Sequence, residues 1–499
     1  MTAPSTLTYV RLMDVELGKP NLDADLMAQF IAIVGERAAL RDPSDTAPHT
    51  QEPRGLWPGQ TPLVLKPATT AQVSAIMALA HQHGIAIVPQ GGNTGLVGGS
   101  TPSADGKQIV LSLSRMNAVR DVDPLGNTII VEAGCVLENV QRAADGVNRL
   151  FPLRIGSQGS CQIGGNIASN AGGTGVLAYG NMRDLVLGLE VVLPDGRIWN
   201  GLNRLKKNNT GYDLKHLFIA GEGTLGVVTA AVLKLFPKPK GTAMALVGVA
   251  DPQAAMALFS RLRDSAGHGL TAFELSGRKP FEFLYRHFAD KHRDPLVGAH
   301  AWYCLIEVSS QRDQADAETV LTTALEAAFE AGEVEDAAPA ANLAQQAEFW
   351  LMRENLSWAQ KPEGASIKHD ISVPVTAIPS FIAQAEQAVL AVEPETRIVC
   401  FGHMGDGNLH YNLSQPEGWE PQRFRDLEHR FHEAVYAVIA DHDGSISAEH
   451  GIGRMKMKAI ATLKAGTEMD MMVAIKRALD PHGIMNPGKL IDPDLLDRS

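Results

Sequence analysis

The sequence predicts an α+β protein with two domains and a helical C-terminal segment. Short apolar runs typical of strands alternate with amphipathic stretches typical of helices along most of the chain. Glycine-rich loops interrupt the first half, whereas alanine-rich helical patterns dominate the second. A Pro-Lys-Pro-Lys-Gly stretch at residues 237–241 separates the halves and predicts a domain boundary.

The first domain is predicted at residues 56–237, after a segment at residues 1–55 that is helical and then loop-like. It opens with a β-α-β unit whose helix, residues 70–83, follows the cap candidates Thr69 and Thr70. Strands are predicted at residues 62–66, 85–88, 109–113, 128–131, 185–193 and 226–235.

The second domain is predicted at residues 238–453, with an antiparallel sheet as the favoured arrangement. Its strands are predicted at residues 244–249, 301–308 and 396–401, and its helices at residues 252–266, 315–331 and 380–390. Residues 454–499 are predicted to form a helical segment, which glycines and prolines end near residue 481.

Composition narrows the class of protein. The 499 residues, 45% hydrophobic and 20% charged, suit a globular protein, and a net charge of −12 argues against a nucleic-acid partner. No apolar run approaches the ~20 residues of a membrane-spanning helix, and residues 1–20 lack signal- or transit-peptide features. Reduced, structural thiols are predicted for the widely spaced Cys135, Cys161, Cys304 and Cys400. A cytoplasmic protein without a transmembrane segment is therefore expected.

Two glycine-rich segments, residues 89–100 and 156–181, follow predicted strands in the first domain. Glycine lets backbone N–H groups approach an anion closely, so a diphosphate is the natural ligand. Neither segment fits a P-loop or a dinucleotide-binding fingerprint. The alternative is a flexible loop, but interleaved polar residues favour fixed roles and the length of the second segment suggests a long cofactor. A third glycine turn, residues 221–229, is either structural or adds backbone contacts.

A candidate metal site lies in residues 401–413, where His403 and His410 bracket a Gly-Asp-Gly turn. Asp-Gly between alternating apolar residues predicts a hairpin, which can bring both imidazoles to one end. The dipeptide Glu449-His450 follows, and two imidazoles with one carboxylate are a common ligand set for a divalent metal. The alternative is that each histidine is a surface or hydrogen-bonded core residue.

These motifs, in this order, resemble the flavoprotein family typified by vanillyl-alcohol oxidase. Within it, the chain is similar to FAD-linked D-2-hydroxy acid dehydrogenases over residues 56–490, and most similar to the D-2-hydroxyglutarate branch. The resemblance implies a vanillyl-alcohol oxidase-type FAD-binding domain with an extended FAD. The first glycine loop has no histidine for a covalent link, so a non-covalent FAD is expected.

The resemblance also implies the residues that contact FAD. The diphosphate would lie on the first glycine segment, the adenine and ring on the second and third, and the C-terminal segment would return to the flavin. The predicted contacts are Pro89, Gly91, Gly92, Asn93, Thr94, Gly95, Ser100, Ser157, Gly159, Gly164, Gly165, Asn170, Gly173, Thr174, Glu222, Gly226, Val228 and Asn486.

The predicted reaction is oxidation of a 2-hydroxy acid by hydride transfer to the flavin. His403, His410 and Glu449 are predicted metal ligands, and zinc is favoured over manganese, iron or cobalt. His450 is the predicted general base, because imidazole titrates near ~6.5. The alternative for His450 is a fourth ligand or a residue that orients a ligand.

Substrate choice is predicted from residues 353–374. Arg353, Ser357 and Lys368 match positions that bind the second carboxylate in the D-2-hydroxyglutarate branch, where threonine is more frequent at the serine position. The alternative is two solvated surface cations. Asn412 is expected to assist at the C1 carboxylate, as is the base His450.

The predicted substrate is D-2-hydroxyglutarate or a related diacid such as D-malate. D-lactate or a broader range of D-2-hydroxy acids is the alternative, and a non-catalytic flavin subunit of a redox complex is a more distant one. The chain has no NAD fingerprint, so an electron-transfer flavoprotein or a quinone is the expected electron acceptor. A homodimer is considered for the assembly.

Overall fold

The N-terminal part of the chain packs onto the first sheet. The computed structural model describes residues 22–496, so the predicted segment at residues 1–55 lies partly outside the described residues. Helices Ala24–Val34 and Pro43–Thr50 are observed within it. The second helix corrects the expected loop, because Pro43 occupies the first helical turn, where a missing N–H is tolerated.

Two sheets share one apolar core in the first half. A four-stranded sheet has the order Ala39–Leu40, Val64–Leu65, Ile109–Ser112, Ile87–Gln90. A five-stranded antiparallel sheet has the order Val119–Asp123, Thr128–Glu132, Val227–Lys234, Val186–Val192, Ile198–Gly201. The predicted β-α-β opening is observed, with Thr69 capping helix Thr70–His83 through the Gln72 amide. The other helices are Leu137–Asp145, Ile163–Ala168, Val176–Tyr179, Met182–Leu185 and Lys215–Phe218.

An eight-stranded antiparallel sheet forms the second half, as the sequence predicts. The order is Asp336–Pro339, Gly241–Val249, Trp302–Ser310, Leu270–Gly277, Arg397–His403, Asn408–Ser414, Ser366–Ile367, with Asp370–Ser372 also paired to Asn408–Ser414. Strand Leu270–Gly277 is not among the predicted strands, because the apolar–polar alternation of its sequence slips at Ala272-Phe273, beside a register shift between Leu270 and Ala272. A small two-stranded pair, Arg149–Leu150 with Phe236–Pro237, lies near the junction of the halves.

Helices cover both faces of this sheet. One face packs against Pro252–Ala266, Gln314–Glu330, Ile378–Val392 and Glu428–Asp441. The other face packs against Arg278–His287 and Leu343–Ala359, with Phe401 in that core. The short helix Pro421–Arg425 precedes the last helix of the first group.

One stretch, Val375–Val392, is long and apolar enough to cross a membrane by composition, with a mean hydropathy of 1.3 over 18 residues. Its Phe381, Ala385 and Val389 are fully buried in the core under the sheet. One side of this stretch therefore belongs to the core of the second half, and 28% of its residues are buried. The four cysteines are free and buried, as predicted for structural thiols.

The C-terminal segment contains helices Met457–Leu463, Thr467–Leu479 and Pro493–Leu496. Before the last helix the chain returns to the first half, where the Asn486 amide donates to the Ile87 carbonyl at 2.8 Å. The predicted return of this segment toward the glycine loops is therefore observed at the level of the backbone.

Candidate active site

Strand register places the candidate metal residues on one sheet face. His403 lies opposite Glu274 and Asn408, and His410, two residues beyond Asn408, lies opposite Asp370. Directly paired residues point to the same face. The His403 and His410 rings lie 5.7 Å apart between centroids. The predicted meeting of the two imidazoles on one hairpin is therefore observed.

The hairpin connection is longer than a two-residue Asp-Gly turn. One 3-10 turn, Met404–Asp406, is followed by Gly407 at φ +88°. A Cβ at Gly407 would lie 2.3 Å from the Val373 carbonyl oxygen, so glycine is required there on two counts. A Cβ at Gly405 would lie 2.7 Å from the side chain of Leu177, which belongs to the first half. The turn is thus fitted against the junction between the halves.

Asp370 joins the hairpin to the segment that carries Glu449 and His450. Its carboxylate accepts hydrogen bonds from the backbone amides of Glu449 at 3.0 Å and His450 at 2.9 Å, and from Asn408 Nδ2 at 3.0 Å. Burial raises the pKa of Asp370, but the charges of His450, Lys456 and His410 hold it well below its usual range. Asp370 is not among the predicted site residues. It lies two residues after the predicted Lys368, and on an extended chain that spacing places both side chains on one side.

Four side chains form a group of potential metal ligands. Ligand atoms of Asp370, His410, Glu449 and His450 all lie within 4.8 Å of one another. Glu449 Oε1 is 3.7 Å from His410 Nε2 and 3.8 Å from His450 Nε2. Atoms bound tetrahedrally at ~2.1 Å from one zinc ion are about 3.4 Å apart, so these donors fit a divalent ion with small adjustments.

The charge balance around this group also favours a cation. Burial raises the pKa of Glu449 to about 7, and the nearby Asp370 and Asp406 carboxylates add to that effect. Burial likewise raises the pKa of Asp406 to about 6. Carboxylates crowded in a buried place resist ionisation unless a positive charge joins them. A divalent ion would supply that charge.

His403 occupies a different environment from the other predicted ligands. Its Nδ1 lies 2.6 Å from Glu274 Oε1, while Arg353 Nε donates to Glu274 Oε2 at 2.6 Å. Burial lowers the pKa of His403, but Glu274 outweighs it and raises the pKa to about 9. A carboxylate on one imidazole nitrogen orients the other toward a metal. His403 lies outside the four-residue group, and its role as a ligand through Nε2 stays a prediction.

The predicted substrate residues are divided between two places. Arg353 is buried against Glu274, with its guanidinium 5.0 Å from the centre of the Phe401 ring. Lys368 and Asn412 meet at Gln360, whose Oε1 accepts from Lys368 Nζ at 2.9 Å and from Asn412 Nδ2 at 3.2 Å.

Helix Leu343–Ala359 carries most of the distal substrate residues. Arg353 and Ser357 stand four residues apart on it, so they share one face, and Ser357 is exposed. The sequence-based prediction does not include Glu274 or Gln360. Each contacts a predicted residue that is distant in the sequence, so no local sequence pattern identifies either of them.

The glycine segments of the first half reach this site. A Cβ at Gly172 would lie 3.4 Å from Glu449 Oε2. The Glu222 carboxylate accepts hydrogen bonds from the backbone amides of Ile452 at 2.7 Å and Gly453 at 2.8 Å. The candidate active site therefore lies at the junction of the two halves.

Asn486 joins two of the glycine segments. Its Nδ2 donates to the Gly99 carbonyl at 2.9 Å and to the Glu222 carbonyl at 2.8 Å, while its buried Oδ1 has no hydrogen-bond partner within residues 22–496. The Gln162 Oε1 is also buried and unpartnered. Unpaired buried acceptors beside glycine loops suit a polar ligand, and FAD supplies donors on its ring and ribityl chain.

The glycines divide into two groups. Some are needed for close packing: a Cβ at Gly92 would lie 2.2 Å from the Ser160 carbonyl oxygen, and one at Gly173 would lie 2.1 Å from the Arg154 carbonyl oxygen. Others face open space, since nothing lies within 4 Å of a Cβ built on Gly95 or Gly165. Open glycines next to unpaired acceptors fit a cofactor cradle.

The remaining predicted cofactor residues have mixed surroundings. Asn93 donates to the carbonyls of Pro48 and Gln51 and accepts from Ser100, and Asn170 accepts from the Arg183 amide. These amides fix loop shape in the structure. The glycine loops also include Pro89, Gly91, Thr94, Ser157, Gly159, Gly164, Thr174, Gly226 and Val228, whose contacts with FAD stay predictions.

Replacing Gly165 with valine should lower FAD affinity about tenfold or more, because the side chain would enter the cradle without striking protein atoms. The flavin-free variant should melt within a few degrees of the flavin-free wild type. FAD titration of the apoprotein by fluorescence and a melting curve measure both effects. Gly298→Val, at an exposed glycine distant in sequence, is the control. Unchanged FAD affinity would remove Gly165 from the cradle.

The glycine-lined junction thus faces imidazoles and carboxylates. Family models and named relatives make the chain an FAD-dependent oxidoreductase that acts on CH–OH groups. The chain belongs to the FAD-linked oxidase family. Residues 61–201 match the family model described as an FAD binding domain, and residues 238–490 match that of the FAD linked oxidases, C-terminal domain.

The chain is similar to proteins named as dehydrogenases of D-2-hydroxyglutarate and of D-lactate. A Danio rerio protein named D-2-hydroxyglutarate dehydrogenase, mitochondrial, is 39% identical, covering 87% of this chain and 79% of its own. Its Arabidopsis thaliana namesake is 35% identical, covering 95% and 83%. A Schizosaccharomyces pombe relative, named as a mitochondrial D-lactate dehydrogenase, is 35% identical, covering 93% and 89%.

The fold prediction is confirmed by a solved structure. p-Cresol methylhydroxylase with substrate bound superposes with a TM-score of 0.74, covering 94% of this chain and 97% of its own at 16% identity. At that identity the likeness speaks for the fold alone. The α+β, vanillyl-alcohol oxidase-type architecture is therefore correct.

The expectation of a cytoplasmic protein is wrong. The names of the Danio rerio and Arabidopsis thaliana relatives place those proteins in mitochondria. The expectation rested on the composition of residues 1–20 and on a default. Targeting depends on terminal segments that receptors recognise, and neither composition nor the fold of the catalytic domains reports on them.

Proposed function

We propose that the protein is an FAD- and divalent-metal-dependent dehydrogenase that oxidises D-2-hydroxyglutarate, or a related D-2-hydroxy diacid such as D-malate, to the 2-oxo acid. One observation carries the proposal. Among the described residues the part-buried ammonium of Lys368 has no carboxylate partner, and its charge acts on His450, which pairs with Asp370. The names of the D-2-hydroxyglutarate dehydrogenase relatives support the same substrate.

His450 acts as the general base. Its Nδ1 lies 3.5 Å from Asp370 Oδ2, so Nε2 is the nitrogen that takes the proton of the substrate's C2 hydroxyl. Burial lowers the pKa of His450, which keeps the ring neutral and able to accept, while Asp370 stabilises the imidazolium that forms. A divalent ion held by His403, His410 and Glu449, zinc in our proposal, would acidify that hydroxyl, and bound FAD would accept the C2 hydride.

The substrate's two carboxylates are held apart. Asn412 Nδ2 serves the C1 carboxylate, near the hairpin end that carries His410. Lys368, with Arg353 and Ser357 from the helix beside it, serves the second carboxylate. Asn412 and Arg353 are buried, which strengthens their hydrogen bonds with substrate.

Lys368→Met should raise the KM for D-2-hydroxyglutarate about 10- to 100-fold, because the substrate would lose one hydrogen bond to a charged group. The KM for D-lactate should change less than about threefold, because D-lactate has no second carboxylate. Dye-coupled assays on D-2-hydroxyglutarate, D-malate and D-lactate measure both values, with the exposed Lys361→Met as control. Wild-type preference for D-lactate would overturn the diacid proposal in favour of the D-lactate alternative.

Reduced flavin must be reoxidised by a separate carrier. We propose an electron-transfer flavoprotein or a quinone, since the sequence holds no NAD fingerprint. Stopped-flow mixing of the substrate-reduced protein with each carrier would rank them by the rate at which oxidised-flavin absorbance returns.

A further inference from the structure

A buried glutamine, Gln360, connects two of the predicted substrate-binding side chains, Lys368 and Asn412. Gln360 is 1% exposed and ends helix Leu343–Ala359. Its Oε1 accepts from both Lys368 Nζ and Asn412 Nδ2, and its Nε2 donates to Ser414 Oγ at 2.9 Å. Both polar atoms of the side-chain amide are therefore engaged in three hydrogen bonds, and exchanging Oε1 with Nε2 would point the amide N–H groups at two donors.

The amide holds Lys368 without cancelling its charge. Lysines withdrawn from solvent normally pair with a carboxylate. Lys368 is part-buried, yet across residues 22–496 no carboxylate oxygen lies within 4.0 Å of its Nζ, and the hydrogen-bond acceptor that it has is neutral. An ammonium left in that state favours an anionic ligand.

Arg353 differs in this respect. Its Nε contacts the Glu274 carboxylate at 2.6 Å, so part of its charge is already compensated inside the protein. Both residues are predicted to bind the second carboxylate, but of the two only Lys368 has no carboxylate oxygen within 4.0 Å among residues 22–496. Discrimination between a diacid and a monoacid should therefore depend most on what surrounds Lys368.

We propose that Gln360 is a specificity-determining positioning residue, which fixes the Lys368 ammonium and the Asn412 amide while leaving the ammonium unneutralised for the second carboxylate of a dicarboxylic 2-hydroxy acid. The inference rests on the proposed function, because it requires a substrate with two carboxylates. It assigns the choice between diacid and monoacid to a neutral side chain that does not itself need to touch the substrate.

Gln360→Glu tests the charge with little change in shape. The new carboxylate still accepts from Lys368 and Asn412, but it neutralises the ammonium. The KM for D-2-hydroxyglutarate should rise about 10- to 100-fold, whereas kcat and the KM for D-lactate should change less than about threefold. Calorimetric titration of the oxidised protein with 2-oxoglutarate and with pyruvate should show the same selective loss for the diacid.

Gln360→Met is the matched neutral variant. It removes the acceptor from both Lys368 and Asn412, so binding of D-2-hydroxyglutarate and D-lactate should weaken together through the C1 end. Flavin content and melting temperature establish that each variant is folded. If Gln360→Glu weakens both substrates equally, or neither, the assignment of Gln360 is wrong. If wild-type protein prefers D-lactate, the proposed function itself fails, which the same assays show separately.

Discussion

Replacing His450 with asparagine should lower kcat on D-2-hydroxyglutarate about 100- to 10,000-fold, while flavin and metal contents stay at the wild-type level. Asparagine keeps a polar side chain of similar reach but cannot take a proton near neutral pH. The KM should change little, because the carboxylate contacts of the substrate come from Lys368, Arg353 and Asn412.

The reason for so large an effect is the pairing of His450 with Asp370. Asp370 is 3% exposed and accepts hydrogen bonds from the amides of Glu449 and His450, so the imidazole is held at a fixed place beside the ligand group. A base held in this way transfers a proton without reorganising its surroundings. Water at the same place would lack both the basicity and the stabilising carboxylate.

Single-turnover reduction of the flavin by substrate measures the affected step directly. His429→Asn is a suitable control, because the His429 side chain is 84% exposed and lies on the outer helix Glu428–Asp441. Loss of bound metal from His450→Asn would instead identify His450 as a fourth ligand. Flavin reduction at the wild-type rate would show that another group is the base.

The hairpin and its histidines were predictable because their signals are local. Alternating apolar residues around Gly-Asp-Gly predict two paired strands, and the period of two then fixes which side chains share a face. His403 and His410 therefore meet in the structure much as the sequence indicates. The helix at residues 70–83 was equally accessible, with a threonine cap before it and Gly84 in the left-handed region after it.

The residues that orient the site were not predictable in the same way. Glu274 contacts His403 across 129 positions, Asp370 contacts His450 across 80, and Gln360 contacts Asn412 across 52. Each pairing depends on which strands and helices become neighbours, and that is decided by burial of whole elements. In strand Leu270–Gly277 an alternating pattern would place Glu274 on a solvent-facing side, yet all eight residues are buried because helices cover both faces of the sheet.

Glu222, in the third glycine turn, is a predicted FAD contact whose carboxylate also has partners within the protein. The resemblance places it among the FAD contacts. In the structure its carboxylate is occupied by the amides of Ile452 and Gly453, and its own φ is +49°. The side chain thus links a glycine turn of the first half to the segment that follows Glu449-His450. Its predicted contact with FAD stays a prediction.

Glu449→Gln should remove bound divalent metal and lower kcat/KM at least about 100-fold, with FAD retained. Glu449 is the carboxylate that faces both His410 and His450, at 3.7 Å and 3.8 Å. Glutamine keeps the size but loses the negative charge that a divalent ion requires. Metal analysis of the purified variant and the dye-coupled assay measure the two effects, and metal analysis of the wild type tests zinc against manganese, iron and cobalt.

Once metal is removed from both proteins, Glu449→Gln should be at least as stable to heat as wild type. This result would separate loss of a metal ligand from misfolding. Without an ion, burial and the neighbouring carboxylates raise the pKa of Glu449 to about 7, so its ionised form costs folding free energy at pH 8. Neutral glutamine avoids that cost. After chelation, Glu449→Gln should therefore melt at or above the temperature of wild type, whereas metal should stabilise wild type alone. Glu433→Gln, at an exposed carboxylate, should match wild type in every measurement. Full activity of chelated wild-type protein, shown to be metal-free, would exclude the metal from the reaction and leave His450 with Asp370 as the whole of the proton-transfer apparatus.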